Sequence, residues 1–461
     1  MANIKTAPDL RENKMGVMPV GKLLVNMAGP MIISMLVQAM YNIVDSIYVS
    51  RISESAVTAL SLAFPVQNKQ IGFATGIAVG VNSLLSKSLG ENNPERAAKA
   101  AGNGVFLALI AVAVFMLFGA FGAAPFFAAQ STVEETVLGG TAYVQICCLL
   151  TMGIFVEILF ERLLQASGRT VYSMITQATG AVINIVLDPV FIFGWGGVPA
   201  MGIAGAAVAT VIGQWVAAAL AVFFNFKCNH EVRFGLRYIR PDAQVIRPIL
   251  TVGIPSIIMM AIGSVMNFSM NQILQGFTET ATGVFGIYYK LQSFFFMPVF
   301  GLNNATISIL AFNYGARKPQ RMMKTIRLAC ATAFGFMMLG LLAFELIPQT
   351  LLGFFNPSQE FLRIGTTALR IIGVHFPLAA FGISLGSSFQ ALGVGVYSTI
   401  TSLCRQMFAL LPAAYLLSLA GDGTLVWGAF PIAEVVSLMV TLILCGRIYR
   451  NKIRPILDEQ R

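Results

Sequence analysis

Residues 165–175 read QASGRTVYSMI and residues 390–400 read QALGVGVYSTI, so one gapless stretch recurs 225 positions later. Internal repeats of this length are typical of transporter folds that arose by duplication. The chain is therefore expected to consist of two related halves. The same offset joins further positions: Pro30 with Pro255, Gly76 with Gly301, Gly90 with Gly315, Pro94 with Pro319, and Arg96 with Arg321.

The composition places both halves in a membrane. Of the 461 residues, 56% are hydrophobic and only 11% are charged, and the mean hydropathy is +0.76. Soluble domains contain about 25% charged residues, so an ordinary soluble enzyme is excluded. A helix that crosses the bilayer needs about 20 apolar residues. The sequence predicts an all-α membrane protein with twelve transmembrane helices, six per half, at 22–50, 56–86, 97–125, 136–166, 171–194, 201–226, 247–277, 281–312, 322–347, 362–391, 397–420 and 424–446.

Basic residues predict the orientation of these spans. They cluster in both tails and in alternate loops, whereas the opposite side carries only Arg51 and Arg363. Because cytoplasmic loops are rich in Lys and Arg, both termini are predicted to be cytoplasmic, in the inner or plasma membrane. Six spans per half give both halves the same orientation, so their pseudo-two-fold axis runs along the membrane normal. The predicted organisation is an N-terminal tail at 1–21, an N-lobe at 22–226, a linker at 227–246, a C-lobe at 247–446 and a C-terminal tail at 447–461.

Other classes of function lack their motifs in this sequence. There is no phosphate-binding G-x-x-x-x-G-K-[ST] loop, and neither metal ligands nor a nucleophile with its base occur at recognisable spacing. We therefore expect no enzymatic activity, no cofactor and no nucleic-acid partner, the net charge of +10 being explained by the basic loops. A membrane-embedded enzyme would need a catalytic set that is not recognisable here. Transport would draw on an ion gradient, in which one charge moved through 100 mV is worth about 2.3 kcal/mol.

Five acidic residues fall inside the predicted spans: Asp45, Glu157, Glu161, Asp188 and Glu434. An ionised side chain at mid-bilayer costs at least about 2.5 kcal/mol, so each acid is expected to face a cavity or a partner. Asp45 and Asp188 lie at similar depth in spans 1 and 5. Two neighbouring acids in a low dielectric cannot both ionise cheaply, which is the property that proton coupling requires.

Each of these two acids lies on a polar helix face. The residues three and seven positions before Asp45, and those four and eleven positions before Asp188, are polar and share one side of their helix. Spans 4 and 6 add polar residues at comparable depth. The alternative is that these polar stripes only hold helices together through hydrogen bonds. The predicted pocket residues are Gln38, Asn42, Tyr143, Gln177, Asn184, Thr210 and Gln214.

The second half does not repeat the acidic pair. Lys290 and Glu434 lie at comparable depth in spans 8 and 12 and are expected to pair, either as a structural link or as a gate. In the first half, Lys69 has no partner that the sequence identifies, and Glu161 with Arg162 is expected at the membrane interface.

Motifs along the whole chain carry a family resemblance. They are Gly29-Pro30, Phe64-Pro65, the paired segments 83–90 and 308–315, Asn184–Pro189, and the segments 202–210 and 289–294. In this combination the sequence resembles the multidrug and toxic compound extrusion (MATE) family, closest to the bacterial branch of DinF-like and Staphylococcus-type multidrug exporters. The resemblance implies a V-shaped antiporter of twelve helices that exports cationic, amphipathic drugs in exchange for protons or sodium.

The resemblance also implies roles for individual residues. Asp45, Asn184 and Asp188 would bind the coupling ion, a proton or Na⁺, with Tyr143 and Thr210 assigned by weaker alignment. Asn42 joins this ion-coupling set through its place on the same helix face. Because a complete duplication forms a pathway by itself, a monomer in the lipid bilayer is expected. The predicted substrate cavity contains Gln38, Gln177, Gln214, Lys290 and Glu434.

A flippase for lipid-linked saccharides, from the same superfamily, is the alternative for the cargo. It predicts a cavity lined by basic residues, and four basic residues within the spans keep it open: Lys69, Lys290, Arg370 and Arg405. If Lys69 faces the cavity, it disfavours cationic cargo.

Overall fold

A computed structural model describes residues 13–355, 358–421 and 423–459. Within these ranges all regular secondary structure is helical, as predicted. Parts of the two predicted tails, residues 1–12 and 460–461, lie outside the described residues. Twelve helices, two of them broken into two parts, correspond to the twelve predicted spans: α1 (Val20–Ser50), α2 (Glu54–Gly90), α3 (Pro94–Leu117), α4 (Glu134–Leu149 and Met152–Ala166), α5 (Thr170–Phe193), α6 (Ile203–Cys228), α7 (Ala243–Gln275), α8 (Glu279–Gly315), α9 (Pro319–Leu346), α10 (Gln359–Gly373 and Phe376–Ala391), α11 (Gly395–Leu403) and α12 (Ala429–Ile448).

Several helices are extended or interrupted. Helix α3 continues through a π-helical turn, Phe118–Gly122, into Ala123–Ala128, and α11 continues through the π-helical segment Cys404–Leu410 into Leu411–Ser418. The helix axis bends by 48° between the two parts of α4 and by 47° between the two parts of α10. Short helices occupy Lys14–Val17, Trp195–Gly197, Leu236–Ile239, Pro348–Gly353, Gly423–Val426, Tyr449–Ile453 and Arg454–Asp458.

Length and apolarity agree with a multi-pass membrane protein. Among the described residues nine helices are long and apolar enough to cross a bilayer, and eleven are if each bent pair is one span. Helix α2 is continuous over 37 residues, but four polar residues at 67–70 interrupt its apolar sequence near the middle. A polar face on a spanning helix must be buried against other helices or line a cavity, so this run indicates where α2 meets partners.

Local geometry repeats at the 225-residue offset that the sequence shows. Ser53 and Thr278 are equivalent N-caps, and each side-chain oxygen accepts a hydrogen bond from the backbone N–H three residues later, at 3.1 and 3.0 Å. Asn92 and Arg317 are equivalent turn residues, with positive φ angles of 56° and 52°. Each of them lies in the turn just before a proline-initiated helix. The duplication therefore extends from sequence to helix ends and turns.

The described chain divides into two compact units whose boundaries fall inside helices. One unit contains the residues up to Val17 together with Ile33–Ile257, and the other contains Met18–Ile32 together with the residues from Ile258 onward. Helices α1 and α7 each pass from one unit to the other. These boundaries differ from the lobes 22–226 and 247–446 expected from the linker position.

Close glycine contacts explain this exchange of half-helices. In the first unit, Gly76 of α2 lies against α7, where a Cβ would meet the Gly253 carbonyl oxygen at 2.8 Å. In the second unit, the equivalent Gly301 of α8 lies against α1, where a Cβ would meet the Ile32 nitrogen at 2.8 Å. Since only glycine allows backbones to approach this closely, each half anchors the start of the other half's first helix.

Candidate functional site

Helices α5 and α6 are held unusually close in the first unit. A Cβ on Gly213 would lie 2.8 Å from the Gly180 carbonyl oxygen, and one on Gly180 would lie 2.9 Å from the Ala217 side chain. Small residues at such a crossing allow polar groups on adjacent turns to meet. Beside this crossing, the side-chain amide of Asn184 donates a hydrogen bond to the Thr210 hydroxyl at 3.1 Å.

The polar faces of α1 and α5 meet within the same unit. The Gln177 amide donates a hydrogen bond to the Gln38 side-chain oxygen at 2.9 Å. Farther along both helices, the carboxyl groups of Asp45 and Asp188 are within hydrogen-bonding reach of each other. Helical spacing predicted that each acid lies on a polar face of its own helix, and the tertiary structure brings these two faces together.

The two carboxyl groups lack protein donors. Asp188 is 0% exposed, and neither of its side-chain oxygens, nor Oδ1 of Asp45, accepts a hydrogen bond from a donor in the described residues. The buried Asn184 Oδ1 is equally without a donor there. Ionised carboxylates only accept, so two of them in contact form a hydrogen bond only when one carries a proton. A shared proton or a bound cation would satisfy this group of oxygens.

Further side chains surround the acids. Tyr41 lies close to Thr210 and to both Asp45 and Asp188. On the other side, the Gln67 amide donates a hydrogen bond to the buried Tyr143 hydroxyl at 2.7 Å. Asp45, Tyr41 and Tyr143 are mutual electrostatic neighbours. Sequence reasoning missed Tyr41 and Gln67, although Tyr41 lies one turn before Asp45 and Gln67 begins the polar run of α2.

Two predicted pocket residues are more peripheral. The side chain of Asn42 is exposed at the protein surface. Gln214, one turn beyond Thr210, is half-buried. Among the described residues, Gln214 makes no hydrogen bond to either carboxyl group. Lys69 of α2 is exposed from the unit.

The expected ion pair between Lys290 and Glu434 does not form within the described residues. Glu434 is 3% exposed and its carboxylate lies 3.6 Å from the guanidinium of Arg405, while Lys290 is exposed. Arg405 lies in the π-helical segment of α11, where i→i+5 hydrogen bonds change the angular spacing of side chains. Periodicity that assumes an α-helix does not anticipate the resulting direction of Arg405.

Glu161 and Arg162, which the sequence places at the membrane interface, are both buried within the protein. The Glu161 carboxylate accepts a hydrogen bond from Thr176 at 2.9 Å, and Arg162 donates one to Gln165 at 3.1 Å. Gln165 in turn donates to Ser173 at 2.8 Å. These bonds form a buried polar network between α4 and α5, because each helix supplies the partner that the other needs.

Comparison with known proteins identifies the family. Residues 30–190 and 255–416 each match the family model described as MatE, and their starts are 225 residues apart. The chain is 24% identical over 432 residues to the multidrug export protein MepA of Staphylococcus aureus, covering 92% of this chain and 94% of the relative.

Solved structures agree. A multidrug resistance MATE family transporter in an outward-facing conformation superposes with a TM-score of 0.89 at 25% identity, covering 99% of this chain and 100% of the other. A MOP superfamily transporter from Pyrococcus furiosus, described as having a binding pocket of reverse polarity, gives a TM-score of 0.88 at 25% identity and covers 99% of both chains. These neighbours are transporters and not enzymes. Because two copies of the same family model, at the offset of the internal repeat, together cover most of the chain, this membrane protein belongs to the MatE family.

Proposed function

We propose that this protein exports amphipathic organic compounds across the membrane, driven by a proton or Na⁺ exchanged at Asp45 and Asp188. The observation that carries the proposal is the pair of facing carboxyl groups whose buried oxygens lack donors. The Staphylococcus aureus relative, described as a multidrug export protein, supports drugs as the cargo.

The chemistry of coupling follows from the repulsion between two carboxylates. At roughly 4 Å and an effective dielectric constant of about 20, two like charges repel by about 4 kcal/mol. When the shared cation is released, the two carboxylates repel each other. Water or a cationic substrate that reaches the pair reduces this repulsion. A conformational change that alternates the exposure of the pair would link ion release on one side to cargo release on the other.

The roles of the surrounding residues follow from the same proposal. Asn184 and Thr210, hydrogen-bonded to each other, would offer oxygens to a cation bound beside Asp188. Tyr41 and Tyr143 lie near Asp45 and would line the same site. Gln38 and Gln177, hydrogen-bonded to each other beside the pair, would line the path of the cargo. The positive-inside pattern supports cytoplasmic termini. We propose that one chain suffices, since both halves of the duplication are present in it.

Two basic residues favour a second candidate, a flippase for lipid-linked saccharides. The side chains of Lys69 and Lys290 are both exposed at the protein surface, so each is available to bind an anionic diphosphate. The other two intramembrane cations are less available, because Arg405 pairs with Glu434 and Arg370 lies 3.9 Å from Glu345. Drug export is therefore the better supported function.

Transport in proteoliposomes tests the proposal. Vesicles containing a fluorescent organic cation are given a proton gradient or a sodium gradient separately, with the unchanged chain, Asp45→Asn and Asp188→Asn. We expect gradient-driven transport by the unchanged chain and its loss in both variants, whereas the control Glu360→Gln, an exposed carboxylate at the start of α10, transports normally. Normal transport by Asp188→Asn under both gradients would refute the coupling site. Translocation of a labelled lipid-linked saccharide without dye transport would favour the flippase.

A further inference from the structure

The segment between α6 and α7 packs tightly against α3. Because it joins two spanning helices, it lies where α6 leaves the bilayer. A Cβ on Gly102 of α3 would lie 2.2 Å from the Tyr238 carbonyl oxygen, so the backbones touch. Asn103 binds the segment twice, donating to the Tyr238 carbonyl at 3.3 Å and accepting from the Asp242 N–H at 2.8 Å. This linker is a fixed part of the first unit.

The linker and the end of α6 present apolar side chains outward. Leu236 is 86% exposed although its neighbour Tyr238 is buried, and Phe226 is 62% exposed while its ring contacts Phe234 at a centroid distance of 4.8 Å. Phe234 also stacks on Phe160 at 5.8 Å. Large exposed apolar side chains next to cations are typical of segments that contact the membrane interface.

An open cavity of about 750 Å³ is lined by linker residues on both sides of Leu236 and by the start of α3, and it carries charges of both signs. Among its lining residues, the Glu91 carboxylate is already paired with Lys87 and Arg96, and Lys99 is paired with Asp242 at 3.3 Å. Glu95 and Arg233 are exposed and make no ion pair or hydrogen bond within the described part of the chain. The Arg237 guanidinium lies over the Tyr238 ring, 4.5 Å from its centroid, and keeps further donors for a ligand.

We propose that this cavity binds the headgroup of phosphatidylethanolamine. Arg233 and Arg237 would bind the phosphate through charge-assisted hydrogen bonds, and Glu95 would accept hydrogen bonds from the ammonium group. Leu236 and Phe226 would contact the acyl chains. The carboxylate distinguishes this site from a patch for purely anionic lipids, because Glu95 repels an anion that brings no ammonium. The site lies in the linker region and is independent of the proposed coupling pair.

Lipid titration of the full chain tests the proposal. The detergent-purified protein is titrated with dioleoyl phosphatidylethanolamine, phosphatidylcholine or phosphatidylglycerol, and bound lipids are counted by native mass spectrometry. We expect phosphatidylethanolamine to bind several-fold more tightly than phosphatidylcholine, whose quaternary amine has no N–H to donate. The double variant Arg233→Gln/Arg237→Gln should weaken phosphatidylethanolamine about tenfold, and Glu95→Gln should weaken it while sparing phosphatidylglycerol.

Matched variants separate these contacts from general charge effects. Arg240→Gln removes an exposed linker cation outside the cavity, and Glu134→Gln removes an acid from the first turn of another helix; both should bind like the unchanged chain. Size-exclusion profiles and thermal unfolding check folding. Glycerophosphoethanolamine, which lacks acyl chains, should bind more weakly than the lipid, and Leu236→Ser should reduce that difference.

Three results would overturn the proposal. These are equal binding of phosphatidylcholine and phosphatidylethanolamine by the unchanged chain, tighter binding of phosphatidylglycerol, and unchanged phosphatidylethanolamine binding in both cavity variants. Equal affinity for glycerophosphoethanolamine would show a soluble headgroup site instead of a lipid site.

Discussion

Replacing Asp188 by Asn should make the thermal stability of the protein less sensitive to pH. The change substitutes a neutral amide for one of two carboxyl groups that face each other, and it brings N–H donors to the donor-free oxygen of Asp45. If the two carboxyl groups of the unchanged chain share a proton, as proposed, rising pH removes it and leaves two like charges. Their repulsion, about 4 kcal/mol at roughly 4 Å and an effective dielectric constant near 20, is the upper limit of the stability that is lost.

The assay is unfolding in detergent followed by tryptophan fluorescence, at pH values from 5 to 9 in sodium-free buffer. We expect the Tm of the unchanged chain to fall more than that of Asp188→Asn, with a difference of at most about 4–8 °C for a chain of this size. If Na⁺ is the coupling ion, adding it at pH 9 restores the Tm of the unchanged chain only. The exposed acid in Asp458→Asn serves as the control for loss of a negative charge. Parallel pH profiles for Asp188→Asn and the unchanged chain would refute the shared cation.

Three further predictions concern packing and charge elsewhere. Gly213→Ala should force α5 and α6 apart and cost about 1–3 kcal/mol, seen as a lower Tm and weaker dye transport, whereas Gly335→Ala, with open space around its Cβ position, should be neutral. Arg405→Gln should lower the Tm more than Glu434→Gln, because it leaves a buried carboxylate without its cation while the partly exposed arginine can be solvated; equal losses would contradict this asymmetry. Burial raises the pKa of Glu231 in the linker, so its stabilising contribution is complete at low pH and is lost as pH rises through the folded-state pKa. The Tm of Glu231→Gln should therefore fall less between pH 5 and pH 8 than the Tm of the unchanged chain. An equal fall in both proteins would show that Glu231 does not contribute to the pH dependence.

The coupling proposal explains why the two halves differ in chemistry although they share a backbone. The position equivalent to Asp45 is Met270, which is fully buried in the second unit. Elsewhere in the second half, Arg405 and Glu434 form a pair in which the charges compensate each other. Under the coupling proposal, the acid pair in the first half requires an exchangeable ion, whereas Glu434 is already neutralised by Arg405 and does not.

The sequence by itself determined the class of fold, the number of spans and the duplication. These follow from local properties, because a bilayer requires about 20 apolar residues per helix and leaves few alternatives to helices for satisfying the backbone. Helical spacing also predicted that Asp45 and Asp188 each lie on a polar face, since that is a property of one helix at a time.

Only the tertiary structure decided which faces meet. The partner of Glu434 depends on a π-helical segment that no hydropathy pattern marks, and the burial of Glu161 depends on Thr176 from a neighbouring helix. The exchange of half-helices depends on Gly76 and Gly301 each meeting the first helix of the other half. In lipid, apolar side chains gain little by choosing one helix over another, so close packing and hydrogen bonds between distant residues select the neighbours. Those contacts join positions far apart in the chain, and a single sequence contains no direct record of them.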